Sequence, residues 1–244
     1  MLDINKIYND DCLNIMKSMA DGSVDLIATD PPYKTTSRGS SGNAGGMLLK
    51  EINKSGNVFN YNSIKPSEYI PEFYRLLKKD AHCYIMTNHI NLIEILNVAT
   101  NCGFHFVKSL IWDKGNKIMG KYYMSQFEYI LFFRKGADKQ INNCGTSDIL
   151  RVPNIKMNNN DDGGNLHDTE KPVALMKILI ENSTSEGELV LEPFAGIGST
   201  VLACIESNRN YVGVEIDKDY YNTILYRINK DKEIKPFSKG TLFD

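Results

Sequence analysis

Residues 189–215 read as a single β-α-β unit. Leu189-Val190-Leu191-Glu192 is a short apolar strand, and Pro193 to Gly198 is a glycine-bearing turn. A helix follows from about Ser199 to Ser207, and Tyr211-Val212-Gly213-Val214-Glu215 returns as a second strand. A strand that passes through a helix to a second strand needs a parallel sheet with covered faces. The rest of the chain must extend that sheet.

The turn also carries chemistry. Gly196 and Gly198 let backbone approach a ligand at a helix N-terminus. Glu215 lies nineteen residues beyond Gly196 and ends the second strand, where a carboxylate can hold both ribose hydroxyls. The unit therefore reads as a nucleoside site in the crevice of a doubly wound sheet. Position 201 is Val, so the third glycine of a dinucleotide fingerprint is missing. Glu192 would stand beside the ligand, repelling a pyrophosphate and attracting a cation. S-adenosylmethionine has no phosphate and carries a sulfonium and an ammonium group. A tight β–α turn without a ligand is the plainer alternative.

The other segments alternate in the same way. Strands are expected at Val24–Thr29, Tyr84–Thr87, Phe104–Trp112 and Phe127–Phe133, the last nearly all apolar and so buried on both faces. Helices are expected over residues 12–19, 66–79, 91–100, 172–182 and 219–229, the fourth with Pro172 at its first position. Residues 35–62 and 157–165 show no periodicity. The first stretch is basic and is expected to be a loop that orders on a substrate, with a merely floppy insertion as the plainer alternative.

Asp30-Pro31-Pro32-Tyr33 follows the Val24–Thr29 strand, at the end where open α/β sheets bind ligands. Two prolines stiffen the turn and remove two amide hydrogens. The Asp30 carboxylate and the Pro31 carbonyl can then accept from the two hydrogens of an exocyclic amine. Tyr33 offers a flat face to a base. A proline turn beside a core tyrosine is the bland alternative for four residues.

The 244 residues are 42% apolar and 24% charged, enough to bury a sizeable core. No apolar run approaches the ~18 residues of a membrane helix, and the first residues lack a signal-peptide core. Five scattered cysteines without C-x-x-C spacing indicate reduced thiols and no zinc cluster. Net charge is −2. Residues 34–66 carry five bases against one acid, residues 108–135 six against two, and residues 181–244 seven against eleven. One basic face toward a polyanion suits that asymmetry. His82 and His89 are expected to bracket a strand and His105 to lie in one, all without metal-ligand spacing.

Taken together, the two turns resemble the signatures of the amino-methylating DNA methyltransferases, which act on adenine N6 or cytosine N4. The catalytic turn precedes the cofactor turn, as in the family's circularly permuted β class. The resemblance spans nearly the whole chain. It implies a three-layer, Rossmann-like α/β fold dependent on S-adenosylmethionine, with seven mostly parallel strands and Phe127–Phe133 antiparallel. It divides one domain, 1–244, into a catalytic half 1–133, a short target-recognition segment 134–166 and a cofactor-binding half 167–244.

Asn9-Asp10-Asp11-Cys12 is similar to the segment in which an aspartate holds the cofactor adenine amine, and Asp11 fits. His167-Asp168-Thr169-Glu170-Lys171-Pro172 is similar to His-Pro-Thr-Gln-Lys-Pro, an element near the cofactor's methionine end. Asp168 and Glu170 depart from that pattern. The implied catalytic residues are Asp30, Pro31, Pro32 and Tyr33. The implied cofactor set is Asp11, Cys12, Asp30, His167, Thr169, Lys171, Glu192, Pro193, Phe194, Gly196, Gly198, Ser199, Thr200 and Glu215, with no metal. Arg151, Lys156 and Asn158–Asn160 are candidate base readers.

The resemblance further implies double-stranded DNA as partner and a base flipped out of the duplex. It implies a place in a restriction-modification system and in the cytoplasm of a prokaryotic or phage-infected cell. The short recognition segment makes a homodimer a further expectation. Asp in the first position of the catalytic turn favours adenine N6. The alternatives are a cytosine-N4 or RNA methyltransferase of the same fold, or a catalytically silent nucleic-acid-binding subunit.

Overall fold

The structure is a computed structural model and describes residues 2–32, 64–118, 122–154 and 170–234. Among these, eight strands form one sheet. They are β1 (Lys6–Tyr8), β2 (Val24–Thr29), β3 (Leu77–Thr87), β4 (His105–Ile118), β5 (Ser125–Arg134), β6 (Ile149–Arg151), β7 (Leu189–Glu192) and β8 (Asn210–Val214). The spatial order is β1-β8-β7-β2-β3-β5-β4-β6. Only β5 runs against its neighbours, pairing antiparallel with β3 and β4, as the resemblance implied for this segment.

Among the described residues six helices cover the sheet: α1 (Cys12–Lys17), α2 (Pro66–Leu76), α3 (Leu92–Asn101), α4 (Val173–Ser183), α5 (Ser199–Glu206) and α6 (Lys218–Ile234). Ile15, Met16, Tyr69, Phe73, Ile95 and Ala99 pack with one face of the sheet. Leu175, Leu179, Val201, Leu202, Ile224 and Ile228 pack with the other. The layers are thus α1–α3, sheet, α4–α6. In β5, Ile130 and Phe132 enter one core while Leu131 and Phe133 enter the other. That alternation explains a nearly continuous apolar run as a strand covered on both sides.

Several expected boundaries move. The sheet has eight strands, one more than expected, and the two edge strands β1 and β6 are the ones no sequence pattern marked. Each has three residues, too few to show a period. The helix expected over 66–79 ends at Leu76, because Leu77 turns extended (φ −64°, ψ 139°) and begins β3. Its inward face is Tyr69, Ile70, Phe73 and Leu76. Burying each such side chain is worth about 1.5–3 kcal/mol. β3 starts seven residues before the expected Tyr84, so His82 lies inside the strand. It is buried against Ser183 Oγ (2.9 Å) and the Lys139 carbonyl (3.0 Å). Burial pushes its imidazole pKa down. β4 runs on to Ile118, six residues past the expected end at Trp112.

Among the described residues no helix is long and apolar enough to cross a membrane. All five cysteines are free, and Cys12, Cys83 and Cys204 are buried.

Candidate active site

The strand order brings distant segments of the chain to one edge. β1, β8, β7 and β2 are parallel neighbours. Their carboxyl ends therefore place Asp11, Glu215, Glu192 and Asp30 along the same border of the sheet, though these residues span positions 11 to 215.

Asp30 follows the last residue of β2. Its Oδ2 lies 2.5 Å from Lys171 Nζ. Its Oδ1 is buried and has no hydrogen-bond partner among the described residues. A carboxylate with one oxygen anchored and one open is a ready acceptor, since leaving a buried acceptor unpaired costs about 1–3 kcal/mol. Burial pushes the Asp30 carboxyl upward, and the neighbouring Lys171 opposes that shift. Pro31 is buried and Pro32 half-buried. Tyr33 lies outside the described residues.

Lys171 was expected beside the cofactor. The structure places it on Asp30, and 3.4 Å from Glu128 Oε2 in β5. Glu128 Oε1 in turn accepts from Lys114 Nζ of β4. Neither Glu128 nor Lys114 was singled out in the sequence. The available signal was a lone acid in an otherwise apolar strand, a residue type rarely buried unless paired.

Glu192 ends β7 and is buried. Its carboxylate is filled from within the protein. Thr29 Oγ1 donates to Oε1 (2.5 Å), the Phe194 amide donates to the same oxygen (3.1 Å), and Thr200 Oγ1 donates to Oε2 (2.6 Å). Burial pushes its pKa up to about 8 against these donors. Thr200 is therefore a partner of Glu192, and Thr29 is a site residue that the sequence did not mark. Ser199 opens α5 and is buried. The Phe194 ring meets Tyr69 edge-on, with centroids 5.2 Å apart.

The glycine turn needs its glycines for different reasons. Gly198 has φ +88° and caps α5, and a Cβ there would meet Ile224 Cγ2 at 2.9 Å. Gly196 has φ +55°, but a Cβ there would meet nothing within 4 Å. One glycine serves close packing; the other borders open space, the cradle a ligand needs.

Glu215 is buried at the end of the β8 segment. It accepts from the Gly196 amide at Oε2 (2.7 Å) and from the Asp217 amide at Oε1 (2.8 Å). Burial raises its pKa to about 7. The expected ribose ligand thus first holds the glycine turn itself, and each carboxylate oxygen keeps a second lone pair. Asp11 caps α1, accepting from the Leu13 amide at Oδ1 (2.7 Å). Cys12 is buried beside it, and burial together with the Asp11 charge pushes its thiol pKa up to about 12. It is therefore a neutral thiol.

Glu170, the departure from the resembled pattern, forms a buried ion pair with Arg227 Nη2 of α6 (2.8 Å). Arg227 Nη1 donates to the Ile197 carbonyl of the glycine turn (2.7 Å). This explains a charged residue at that position: it anchors the arginine that clamps the turn. Arg151 is exposed on β6 and lies 3.9 Å from Asp113. His167, Asp168, Thr169, Lys156, Asn158–Asn160 and the loops at 35–62 and 157–165 lie outside the described residues.

Comparison with known proteins identifies the family. A family model described as DNA methylase, that of the N6/N4 methyltransferases, matches residues 24–226. The type II methyltransferase M2.MboI of Moraxella bovis is 27% identical over 96% of this chain and 90% of its own length. M.HinfI of Haemophilus influenzae is 25% identical over 96% of this chain and 70% of its own length. The crystal structure of an M1.HpyAVI–SAM complex superposes with a TM-score of 0.67 at 24% identity, covering 91% of this chain and 98% of that one. The cytosine-N4-specific PvuII DNA methyltransferase gives a TM-score of 0.71 at 16% identity, over 93% and 87%. From β2 into α6, over residues 24–226, the chain belongs to the N6/N4 family of DNA methylases.

Proposed function

We propose that this protein moves a methyl group from S-adenosylmethionine to the exocyclic N6 amine of an adenine in duplex DNA, the base being turned out of the helix to reach the site. The observation that carries the reading is Asp30 Oδ1, a buried acceptor without a partner among the described residues, at the sheet edge that also bears the glycine turn. The residues present fit the cofactor. Gly196 borders open space, and Glu215 and Asp11 stand at neighbouring strand ends to accept from hydroxyls and an adenine amine. Phe194, Pro193 and Ser199 shape the turn around it.

S-adenosylmethionine supplies an electrophilic methyl group on a cationic sulfur. The protein's part is to hold the amine. Asp30 Oδ1 accepts one amine hydrogen and the Pro31 carbonyl accepts the other. Both draw the nitrogen lone pair out of ring conjugation and aim it for an in-line displacement. Holding both reactants in near-attack geometry supplies much of the acceleration. Positive charge would pass from sulfur to nitrogen, which the Asp30 carboxylate favours, and the methylated nitrogen would then lose one of its two protons to water. Tyr33 is assigned the stacking face, and His167 and Thr169 the cofactor's methionine end. The recognition role falls to residues 134–166.

The test is a pair of substitutions. Asp30→Ala is expected still to bind S-adenosylmethionine in calorimetry and to lose methyl transfer by several powers of ten. Near-normal turnover would overturn the assignment. Glu215→Ala is expected to weaken cofactor binding, and an unchanged dissociation constant would remove it from the cofactor site.

A further inference from the structure

Four side chains of alternating charge run from the catalytic turn into the β4–β5 hairpin. Asp30 Oδ2 meets Lys171 Nζ at 2.5 Å, Lys171 Nζ meets Glu128 Oε2 at 3.4 Å, and Glu128 Oε1 accepts from Lys114. Their side chains are 24%, 9%, 18% and 14% exposed, in that order, so water screens them little. Trp112 lies beneath both cations, its ring centroid 5.9 Å from Lys171 Nζ and 5.0 Å from Lys114 Nζ. The ring is itself fixed: it is buried, and its indole N–H donates to the Val152 carbonyl at 2.8 Å.

Charges this far from water are costly unless paired, and an apolar packing would do as well for stability. A line of four ending on the turn that meets the substrate therefore points to a task. Lys171 takes one Asp30 oxygen and leaves the other open. Left alone with Asp30, however, the ammonium would cancel the negative charge that the reacting amine needs. Glu128 offers Lys171 a second anion, and Lys114 keeps Glu128 in place.

We infer that Glu128 and Lys114 are positioning residues for methyl transfer: through Lys171 they orient the Asp30 carboxylate and set how much of its charge reaches the target amine. The inference rests on the catalytic role proposed for Asp30. Among the described residues, the charged and titratable groups around that carboxylate are Lys171, Glu128, Lys114, Glu192 and the Tyr69 hydroxyl. Burial and Glu128 raise its pKa, while Lys171 and Lys114 lower it. Opposite substitutions in the hairpin must therefore act with opposite sign.

The experiment is the pH dependence of single-turnover methyl transfer to duplex DNA. Transfer needs Asp30 ionised, so the rate falls on the acid side as pH drops through its pKa. Glu128→Gln leaves Lys171 wholly to Asp30, and the acid limb is expected about one pH unit lower. Lys114→Met frees Glu128 to draw Lys171 away, and the limb is expected higher by a similar amount. Lys114→Arg keeps the charge and the wild-type limb. Cofactor affinity is unchanged in all three. Limbs that stay put, or that move the same way in both charge-removing variants, overturn the inference. Asp30→Asn separates the two levels. If it is silent while the hairpin variants keep the wild-type profile, only the hairpin's role falls. If it transfers methyl normally, the proposed catalytic role falls and the hairpin's role with it.

Discussion

Thr29, the last residue of β2, donates its hydroxyl to Glu192, the last residue of β7, at 2.5 Å. The two strands already pair at Leu26–Val190 and Ile27–Leu191. This bond continues the pairing past the strands, joining the residues that precede Asp30 and the glycine turn. On the function proposed above, it would set the distance between the amine acceptor and the cofactor.

Thr29→Val keeps shape and removes the donor. It leaves Glu192 Oε1 with the Phe194 amide alone. The expected cost is about 1–3 kcal/mol of stability in urea unfolding, with Thr29→Ser recovering most of it. Unchanged stability would mean that the hydroxyl is dispensable.

Glu192 and Glu215 are raised from an ordinary 4.5 to about 8 and about 7 by burial. The folded protein holds protons there that the unfolded chain releases. Their stabilising contribution is thus complete below pH 4.5 and is lost as pH rises through 7 and then 8. Glu192→Gln cannot ionise. Its stability relative to wild type is expected to improve steadily between pH 5 and pH 8, and groups common to both proteins cancel in that difference. A constant difference would contradict the raised pKa.

The two glycines should separate stability from binding. Gly198→Ala forces a methyl onto Ile224 at a positive φ and is expected to cost about 1–3 kcal/mol of stability. Gly196→Ala meets open space, so its stability loss is about 1–2 kcal/mol from backbone strain alone. Its larger effect is expected in cofactor affinity, where the methyl enters the cradle. Equal losses of affinity in both variants would place the ligand elsewhere.

Glu170 and Arg227 form an ion pair with both side chains 5% exposed. Removing one partner strands a buried charge, and Arg227→Met is expected to lose about 3–5 kcal/mol in urea unfolding. Changing both to methionine should recover much of that loss. Equal instability in the double variant would show that the arginine's bond to the Ile197 carbonyl is what matters.

The sheet's middle was legible in the sequence because its strands are apolar runs bounded by turns, and β2, β5, β7 and β8 stand close to where those runs predicted them. The edges were not, because β1 and β6 are three residues long and owe their place to neighbours. The catalytic and glycine turns were legible because proline and glycine restrict backbone locally. The partners of their acids were not. Thr29 looks like any strand threonine, and Arg227 like any helix arginine, until folding brings residues 163 and 57 positions away against them. Glu128 was hidden by its apolar neighbours, although a single acid among them is the kind of exception that marks a paired charge.

Isotopic labelling identifies the atom that receives the methyl group. Purified protein would be incubated with methyl-labelled S-adenosylmethionine and unmethylated duplex DNA. The DNA would then be digested to nucleosides and separated by chromatography. Label is expected in N6-methyladenine, and none with the Asp30→Ala variant. Label in N4-methylcytosine would keep the site and contradict the target. No label in DNA despite bound cofactor would contradict the proposed reaction itself.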